Sequence, residues 1–262
     1  GDPDRRDDQD QAGRAFPVAT HYLGRDIHRP LEQAVADAVL AALRGDGGSV
    51  LVFLPGAREI RRTENLLRER LSDPSIILAP LYGAMDFEQQ RRAIEPAPPG
   101  RRKIVLATSI AETSLTIEGV RIVVDSGLAR VPRYDPATGL TELATVRVSQ
   151  AAAEQRRGRA GRTQAGLCYR LWAANETRAL APFATPEILE ADLAPLALAL
   201  AEWGVQEPSA LRWLDPPPAA AFAEARGLLR DLVVLDAEGR ITAGGRALVR
   251  LPLPPRLAHM LL

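Results

Sequence analysis

The chain has 262 residues, 46% of them hydrophobic and 25% charged, the composition of an ordinary globular protein long enough for more than one domain. Its 33 basic and 33 acidic residues cancel, which excludes a uniformly basic nucleic-acid coat and restricts any nucleic-acid site to a local patch. The single cysteine, Cys168, excludes a disulfide framework and a multi-cysteine zinc site, and its apolar surroundings predict a core thiol. No apolar run approaches the roughly 18 residues of a membrane span, and no signal peptide opens the chain, so we expect a cytoplasmic protein.

The first part of the chain follows a polar lead-in over residues 1–14 that we expect to be disordered. Residues 49–54 (SVLVFL) are typical of a buried strand, and a helical pattern over 57–71 follows them. Strands alternating with helices predict an α/β fold, a parallel sheet with helices on both faces. Further strand signals lie at residues 76–79, 104–107 and 122–124.

A predicted β-hairpin over residues 131–148 interrupts this rhythm, because residues 135–139 (DPATG) have turn chemistry. After Trp172 the pattern becomes helical, first over the apolar stretch 186–203. The later predicted elements are a helix over 219–232, a small β-wing over 233–242, a short helix over 244–251 and an apolar stretch over 257–262. Helices followed by a wing suggest a small winged-helix domain, and we expect the last apolar stretch to belong to a truncated helical segment.

The segment QRRGRAGR, residues 155–162, concentrates arginine and glycine. Arg159 and Arg162 are three residues apart, so they share one face of a helical turn, and Gln155 lies one turn earlier. Two guanidinium groups on one face suit a triphosphate, because arginine stabilises the negative charge that develops on a transferring γ-phosphoryl group. A solvated basic helix and a plain phosphate-binding patch are the alternatives, and the arginines alone do not decide among the three.

A second candidate site lies within residues 104–118 (IVLATSIAETSLTIE), where a predicted strand opens into Thr108 and Ser109. Hydroxyls and backbone amides at a strand-to-helix junction form an anion site that can hold a nucleic-acid phosphate. Thr116 and Glu118 follow, and the Glu118 carboxylate could accept a hydrogen bond from a ribose hydroxyl. The alternative is that the serine and threonine only cap a helix, which is their commoner role.

Four stretches together resemble the successive motifs of the second RecA-like domain of DEAH-box helicases of superfamily two. They are LVFLPG (51–56), LYGAMDFEQQRR (81–92), ATSIAETSLTIEG (107–119) and QRRGRAGR (155–162), and their order and spacing both match. The later stretches resemble bacterial HrpB-type helicases, and the resemblance extends over residues 16–262. They are YRLW (169–172), PEIL (186–189), DLAPL (192–196) and residues 251–262.

The resemblance implies an organisation and a nucleotide site. It implies a RecA-like domain over 15–173, a winged-helix domain over 174–245 and the start of a following helical, ratchet-like domain over 246–262. In this family ATP lies between two RecA-like domains, and the second supplies arginine fingers. Arg159 and Arg162 are then the fingers, Gln155 positions the γ-phosphate or the attacking water, and Thr116 and Glu118 lie near the ribose or the interdomain cleft.

The same resemblance implies a nucleic-acid site and a function for the hairpin. Thr108, Ser109 and the amide of Gly56 would contact the RNA backbone, and the hairpin would separate strands or guide the single strand. The family usually has Asn where Ser109 stands and Asp where Glu118 stands. Serine has a shorter reach than asparagine, and glutamate moves the charge by one methylene.

Two parts of a complete helicase motor are missing from the sequence. A phosphate loop needs a lysine after a glycine, but the sole lysine, Lys103, lies between Arg102 and Ile104. No Asp-Glu-x-His sequence is present either. We therefore expect ATP and its Mg²⁺ to be held mainly by the first RecA-like domain of the same protein, and we expect this chain alone to be inactive and to carry no metal site.

Two other functions remain open at this stage. A binding module would hold nucleic acid or protein without turnover, but it would not need the pair Arg159 and Arg162. A DNA helicase motor also fits, because backbone contacts read little base identity and RNA is distinguished chiefly at its 2′-hydroxyl. The resemblance alone favours single-stranded RNA as the partner, with no membrane.

Overall fold

The computed structural model describes residues 16–45, 47–112 and 117–261. The chain divides into two compact units, one of residues 1–130 and 145–184 and the other of residues 131–144 and 185–262. The lead-in predicted to be disordered lies outside the described residues, and the domain boundaries predicted after residues 173 and 245 stay predictions.

The described elements have the following bounds. The strands are β1 (Val18–Tyr22), β2 (Ser49–Phe53), β3 (Ile76–Leu81), β4 (Arg102–Ala107), β5 (Val120–Asp125), β6 (Leu128–Asp135), β7 (Leu140–Arg147) and β8 (Gly166–Arg170). The α-helices are α1 (Leu31–Gly45), α2 (Ala57–Arg70), α3 (Phe87–Ile94), α4 (Gln150–Gly158), α5 (Ala194–Glu202), α6 (Ala219–Asp231), α7 (Ala243–Val249) and α8 (Pro255–Leu261).

The first unit is built on a six-stranded sheet in the order β1-β8-β5-β2-β4-β3, in which every pairing is parallel. All five residues of the central strand β2 are buried. Val50 and Val52 pack into the core that contains α1 and α2, whereas Leu51 and Phe53 pack into the core on the other face. Because alternate residues of a strand point to opposite faces, both faces of the sheet are covered. The predicted α/β fold is confirmed.

Residue Cys168 of β8 lies in the core of this sheet. It is buried, and burial raises the pKa of its thiol to about 12. The thiol is therefore protonated at neutral pH, and the prediction of a core cysteine is confirmed.

The predicted hairpin is formed by β6 and β7, which pair with each other as a separate two-stranded sheet. Asp135 closes the turn with its carboxylate, which accepts hydrogen bonds from the Ala137 amide at 3.0 Å and the Thr138 hydroxyl at 3.0 Å. Gly139 has φ of 68°, a left-handed conformation that favours glycine. The turn chemistry of the sequence thus fixes the hairpin where it was expected.

The second unit is mainly helical, and its core joins α5, α6 and α7. The prediction of one helix over 186–203 was wrong in extent, because α5 begins only at Ala194. Proline lacks an N–H and is tolerated in the first turn of a helix, which is where Pro195 lies. The predicted wing is reduced to one antiparallel bridge between Leu235 and Ile241.

No helix among the described residues is long and apolar enough to cross a membrane.

Candidate functional site

The QRRGRAGR segment spans the end of α4 and the turn that follows it. The Ser149 side chain caps α4 by accepting a hydrogen bond from the amide of Ala152 at 3.1 Å. The helix ends at Gly158, and Arg159–Gly161 continue as one turn of 3-10 helix. Residues three apart lie on the same side of a 3-10 helix. Positions 159 and 162 therefore still share one side, although the chain here is 3-10 and not α-helical.

The two predicted fingers differ in exposure. Arg159 is only 6% exposed, and its guanidinium donates a hydrogen bond to the main-chain carbonyl of Glu112. Arg162 and Gln155 are exposed. Burial and then the positive charge of Arg162 lower the pKa of Arg159, and the Glu112 carboxylate opposes this. Two cations held this close repel each other, and an anion placed between them would relieve that repulsion.

A third arginine of the segment, Arg156, is fully buried in an ion-pair network. It donates to the Asp125 carboxylate at 2.8 Å and, through Nε, to the Glu112 carboxylate at 2.7 Å. Its guanidinium also lies 4.8 Å from the centre of the Phe53 ring. Burial opposes the charge, but the carboxylates outweigh it and raise the pKa of Arg156. Arg156 is thus a structural cation, which the sequence did not distinguish from its neighbours.

The two glycines of the segment have different surroundings. A Cβ on Gly161 would lie 2.5 Å from the carbonyl oxygen of Phe16 and 2.7 Å from a methyl group of Val18. Gly158 has ordinary helical backbone angles, φ −58° and ψ −19°, and no described atom lies within 4 Å of a Cβ built there. Another chain segment therefore approaches the backbone closely at Gly161 and not at Gly158.

We expect Gly161→Ala to lower the free energy of unfolding by about 1–3 kcal/mol, because the added methyl group overpacks a closed contact. Gly158→Ala should leave stability unchanged or raise it by up to about 1 kcal/mol, since alanine is the better helix former. Urea unfolding of the chain, compared between the two variants, measures the difference. Equal losses in both variants would contradict this account of the two positions.

The strand β4 ends at Ala107, where the nucleic-acid candidates begin. Thr108 is half-buried and precedes a 3-10 turn over Ser109–Ala111, but its side chain makes no capping hydrogen bond to that turn. Ser109 is exposed. The capping interpretation therefore has no support at Thr108. Thr116 lies outside the described residues.

The candidate residues fall at two edges of the sheet. Gly56 follows β2, and Thr108 follows the neighbouring parallel strand β4, so both lie at the carboxyl edge. Glu118, which is exposed, precedes β5 and lies at the amino edge. Gly161 also lies toward the amino edge, because its carbonyl accepts a hydrogen bond at 2.8 Å from Phe16, just before β1. Glu118 and Gly161 thus lie toward the edge opposite to Gly56 and Thr108, but the Arg159 side chain reaches the Glu112 carbonyl, just after the Ser109–Ala111 turn.

Gly56 itself is buried beneath a side chain that the sequence did not single out. A Cβ on Gly56 would lie 2.5 Å from the Nη1 atom of Arg130, whose Nη2 donates to the Glu59 carboxylate at 3.2 Å. Arg130 is 30% exposed, and its ion pair with Glu59 holds it at this carboxyl edge. Arg130 is far from Gly56 in the sequence, so no local sequence pattern predicts this contact.

Metal ligands are not assembled in this part of the protein. Among residues 16–45, 47–112 and 117–261, no group of three or more His, Cys, Asp or Glu side chains is placed to hold a metal ion. The described site therefore offers cations and hydroxyls, which suit anionic ligands, and does not fit a bound Mg²⁺ by itself.

A family model described as the helicase conserved C-terminal domain matches residues 32–164, just over half of the chain. The chain belongs to this family. The resemblance of this helicase C-terminal domain to DEAH-box helicases of the HrpB type is confirmed by its relatives. It is 48% identical over 249 residues to the ATP-dependent RNA helicase HrpB of Escherichia coli (strain K12), covering 95% of the chain and 30% of that protein.

Other comparisons agree. The domain is 40% identical over 256 residues to the pre-mRNA-splicing factor ATP-dependent RNA helicase prp22 of Schizosaccharomyces pombe, covering 95% of the chain and 22% of that protein. It superposes with a TM-score of 0.89 on the crystal structure of the Escherichia coli DEAH/RHA helicase HrpB, at 47% identity, covering 95% of the chain and 32% of that structure. A second crystal structure, of the Escherichia coli DExH-box NTPase HrpB, gives a TM-score of 0.85 at 47% identity, with coverage of 95% and 31%. The domain thus spans less than a third of the curated relatives it matches.

Proposed function

We propose that this helicase C-terminal domain is the second motor domain of an ATP-dependent RNA helicase and that it supplies Arg159 and Arg162 to ATP as fingers. The observation that carries the proposal is this pair of arginines, one at the start of a 3-10 turn and one directly after its end. One guanidinium is braced on the Glu112 carbonyl, and the other is exposed and close enough to lower the pKa of the first. Such a turn is preorganised for the negative charge that develops on a γ-phosphoryl group.

The remaining nucleotide contacts are assigned by position. Gln155 is exposed one helical turn before Arg159, which supports a function in positioning the γ-phosphate or the attacking water. Glu118 lies toward the same edge of the sheet as the arginine turn, which supports a place near the ribose or the interdomain cleft. Thr116 is proposed for the same place from the family motif alone.

The RNA contacts are proposed at the opposite edge. The exposed hydroxyl of Ser109, the half-buried Thr108 and the Gly56 region meet where β2 and β4 end side by side. Arg130 adds N–H donors there, because its guanidinium, paired with Glu59, lies over Gly56. Hydroxyls, amides and one arginine suit phosphate oxygens of a single strand without reading its bases. The two curated relatives described above are both named as RNA helicases, which supports RNA as the partner.

The rest of the reaction is assigned to another domain. We infer that the first RecA-like domain of the same protein holds the β- and γ-phosphates and Mg²⁺, since the chain has no phosphate-loop lysine. Mg²⁺ bound there would neutralise charge on the phosphates. A cytoplasmic location, a winged-helix domain over 174–245 and the start of a ratchet-like domain over 246–262 complete the proposal.

The experiment compares ATP hydrolysis by the 262-residue chain and by the full-length protein, each with single-stranded RNA or DNA of one sequence. We expect no RNA-stimulated turnover by the chain alone, and we expect RNA to stimulate the full-length protein more than DNA does. The chain carrying Arg162→Ala is the control for a contaminating ATPase, whose activity would not change. Stimulated turnover by the chain that Arg162→Ala abolishes would overturn the proposed division of labour, and equal stimulation by DNA would overturn the preference for RNA.

A further inference from the structure

Glu112 binds two arginines of the QRRGRAGR segment with two different parts of itself. Its carboxylate accepts a hydrogen bond from Arg156 Nε at 2.7 Å and forms an ion pair with Arg156, whose Nη2 lies 2.6 Å from Oε1. Its main-chain carbonyl accepts a hydrogen bond from the guanidinium of Arg159. The residue follows the 3-10 turn that ends at Ala111 and lies 44 positions before Arg156 in the sequence. Glu112 thus connects the chain after the Ser109–Ala111 turn both to α4, through Arg156, and to the turn after α4, through Arg159.

The carboxylate contact fixes the position of the carbonyl. Arg156 cannot move freely, because it is fully buried, is also held by Asp125 at 2.8 Å and donates to the Leu128 carbonyl at 3.2 Å. The Glu112 side chain is 16% exposed, so its ion pair is poorly screened by solvent. A carboxylate anchored on a fixed cation holds its own main chain in place, and that main chain is an acceptor for Arg159.

We propose that Glu112 is a positioning residue for the finger Arg159, acting through the buried cation Arg156. This inference rests on the proposed function, in which Arg159 acts on ATP. Loss of the Glu112 charge would release the main-chain carbonyl from its place and let the guanidinium of Arg159 adopt other orientations. Small displacements of a catalytic group lower the rate of the chemical step more than they weaken binding of the substrate.

The test is Glu112→Gln in the full-length protein, because glutamine keeps the size of the side chain and removes its charge. At saturating single-stranded RNA we expect kcat for ATP hydrolysis to fall about 10- to 100-fold, the effect of a misplaced catalytic group, with KM for ATP changed less than about 3-fold. In a protein that already carries Arg159→Ala, the same substitution should change the residual turnover less than about 2-fold, because two residues that act as a unit are non-additive.

Two further variants separate positioning from loss of structure. Glu154→Gln is the matched control, because Glu154 also pairs with two arginines, Arg157 at 2.7 Å and Arg170 at 2.8 Å. The hydrogen bond of Arg159 described above goes to Glu112 and not to Glu154. Its kcat should stay within about 2-fold of the unmodified protein, as for a half-exposed ion pair that does not include Arg159. Glu112→Asp keeps the charge, so its kcat should lie between those of the unmodified protein and Glu112→Gln. Amide hydrogen exchange in β5 and α4 checks that each variant is folded.

The outcomes distinguish this inference from the proposed function. If Arg159→Ala hydrolyses ATP at the unmodified rate, the finger assignment itself fails. If Arg159→Ala is impaired but Glu112→Gln is fully active, only the positioning inference is overturned. It is also overturned if Glu112→Gln lowers kcat by the same factor with and without Arg159, or if a folded Glu112→Asp is no more active than Glu112→Gln.

Discussion

Replacing Arg162 by alanine in the full-length protein is expected to lower kcat for ATP hydrolysis by about 10³-fold or more, the range found for arginine fingers. Arg162 is the exposed member of the pair and follows the braced Arg159 on one 3-10 turn, so its guanidinium is the one most accessible to a nucleotide. Arg159→Ala should produce a loss of the same order, because the two cations would act on one developing charge. KM for RNA should change less than kcat in either variant, because neither arginine is among the residues proposed to contact RNA.

Arg157→Ala is the matched control for these substitutions. Arg157 belongs to the same segment, but it pairs with Glu154 at 2.7 Å and donates to the carbonyl of Val18 at 3.2 Å. Its removal takes away one positive charge without touching the proposed nucleotide contacts. Steady-state ATPase measurements should therefore give a kcat within a few-fold of the unmodified protein. If all three variants lose activity equally, the effect belongs to the overall charge of the segment and not to fingers.

The second large effect is on stability. Asp125→Ala is expected to lower the free energy of unfolding of the sheet-containing unit by about 3 kcal/mol, the lower end for a broken buried ion pair, because Arg156 loses its fully buried partner and keeps Glu112. Both Asp125 and Arg156 are fully buried, and their atoms are 2.8 Å apart. Asp125 also accepts a hydrogen bond from the Gly127 amide at 2.9 Å, so the bend after β5 loses an acceptor as well. Hydrogen exchange of the β2 and β5 amides reports this loss for the unit by itself.

Glu88→Ala provides the comparison on the surface of the same unit. Glu88 pairs with Arg91 at 3.2 Å, but its side chain is 61% exposed, and pairs of this kind contribute about 1 kcal/mol or less. Protection of the β2 and β5 amides should therefore hardly change. A loss in Asp125→Ala no larger than that in Glu88→Ala would mean that the buried network does not stabilise the sheet.

The sheet could largely be predicted from the sequence, but its edge strand β1 could not. β2, β4 and β5 are apolar runs, because a central parallel strand is buried on both faces. β1 has the sequence VATHY and is mostly exposed, since it pairs only with β8 at the edge of the sheet. An edge strand of this kind carries no apolar run and gives no periodic signal. Its place is decided by pairing with a strand more than a hundred residues later.

The position of the site in the sequence could be predicted, but the burial of its arginines could not. Motif order located the arginine segment, and the family model confirms the domain that contains it. What the sequence does not show is which arginines are buried. That depends on Glu112 and Asp125, which lie 44 and 31 residues before Arg156 and reach it only after folding. The helix predicted over 186–203 was too long, because apolar composition alone does not show where a helix begins. The helix begins at Ala194, with Pro195 in its first turn.

The central claim is that Arg159 and Arg162 act on the charge of a transferring phosphoryl group. It is tested most directly by the affinity of the full-length protein for ADP with aluminium fluoride, a transition-state analogue, compared with ADP alone. For the double variant Arg159→Ala, Arg162→Ala we predict a loss of about 100-fold or more in affinity for the analogue and less than about 3-fold for ADP, because fingers stabilise the transition state and not the ground state. Equal losses for both ligands, or no loss for the analogue, would contradict the account.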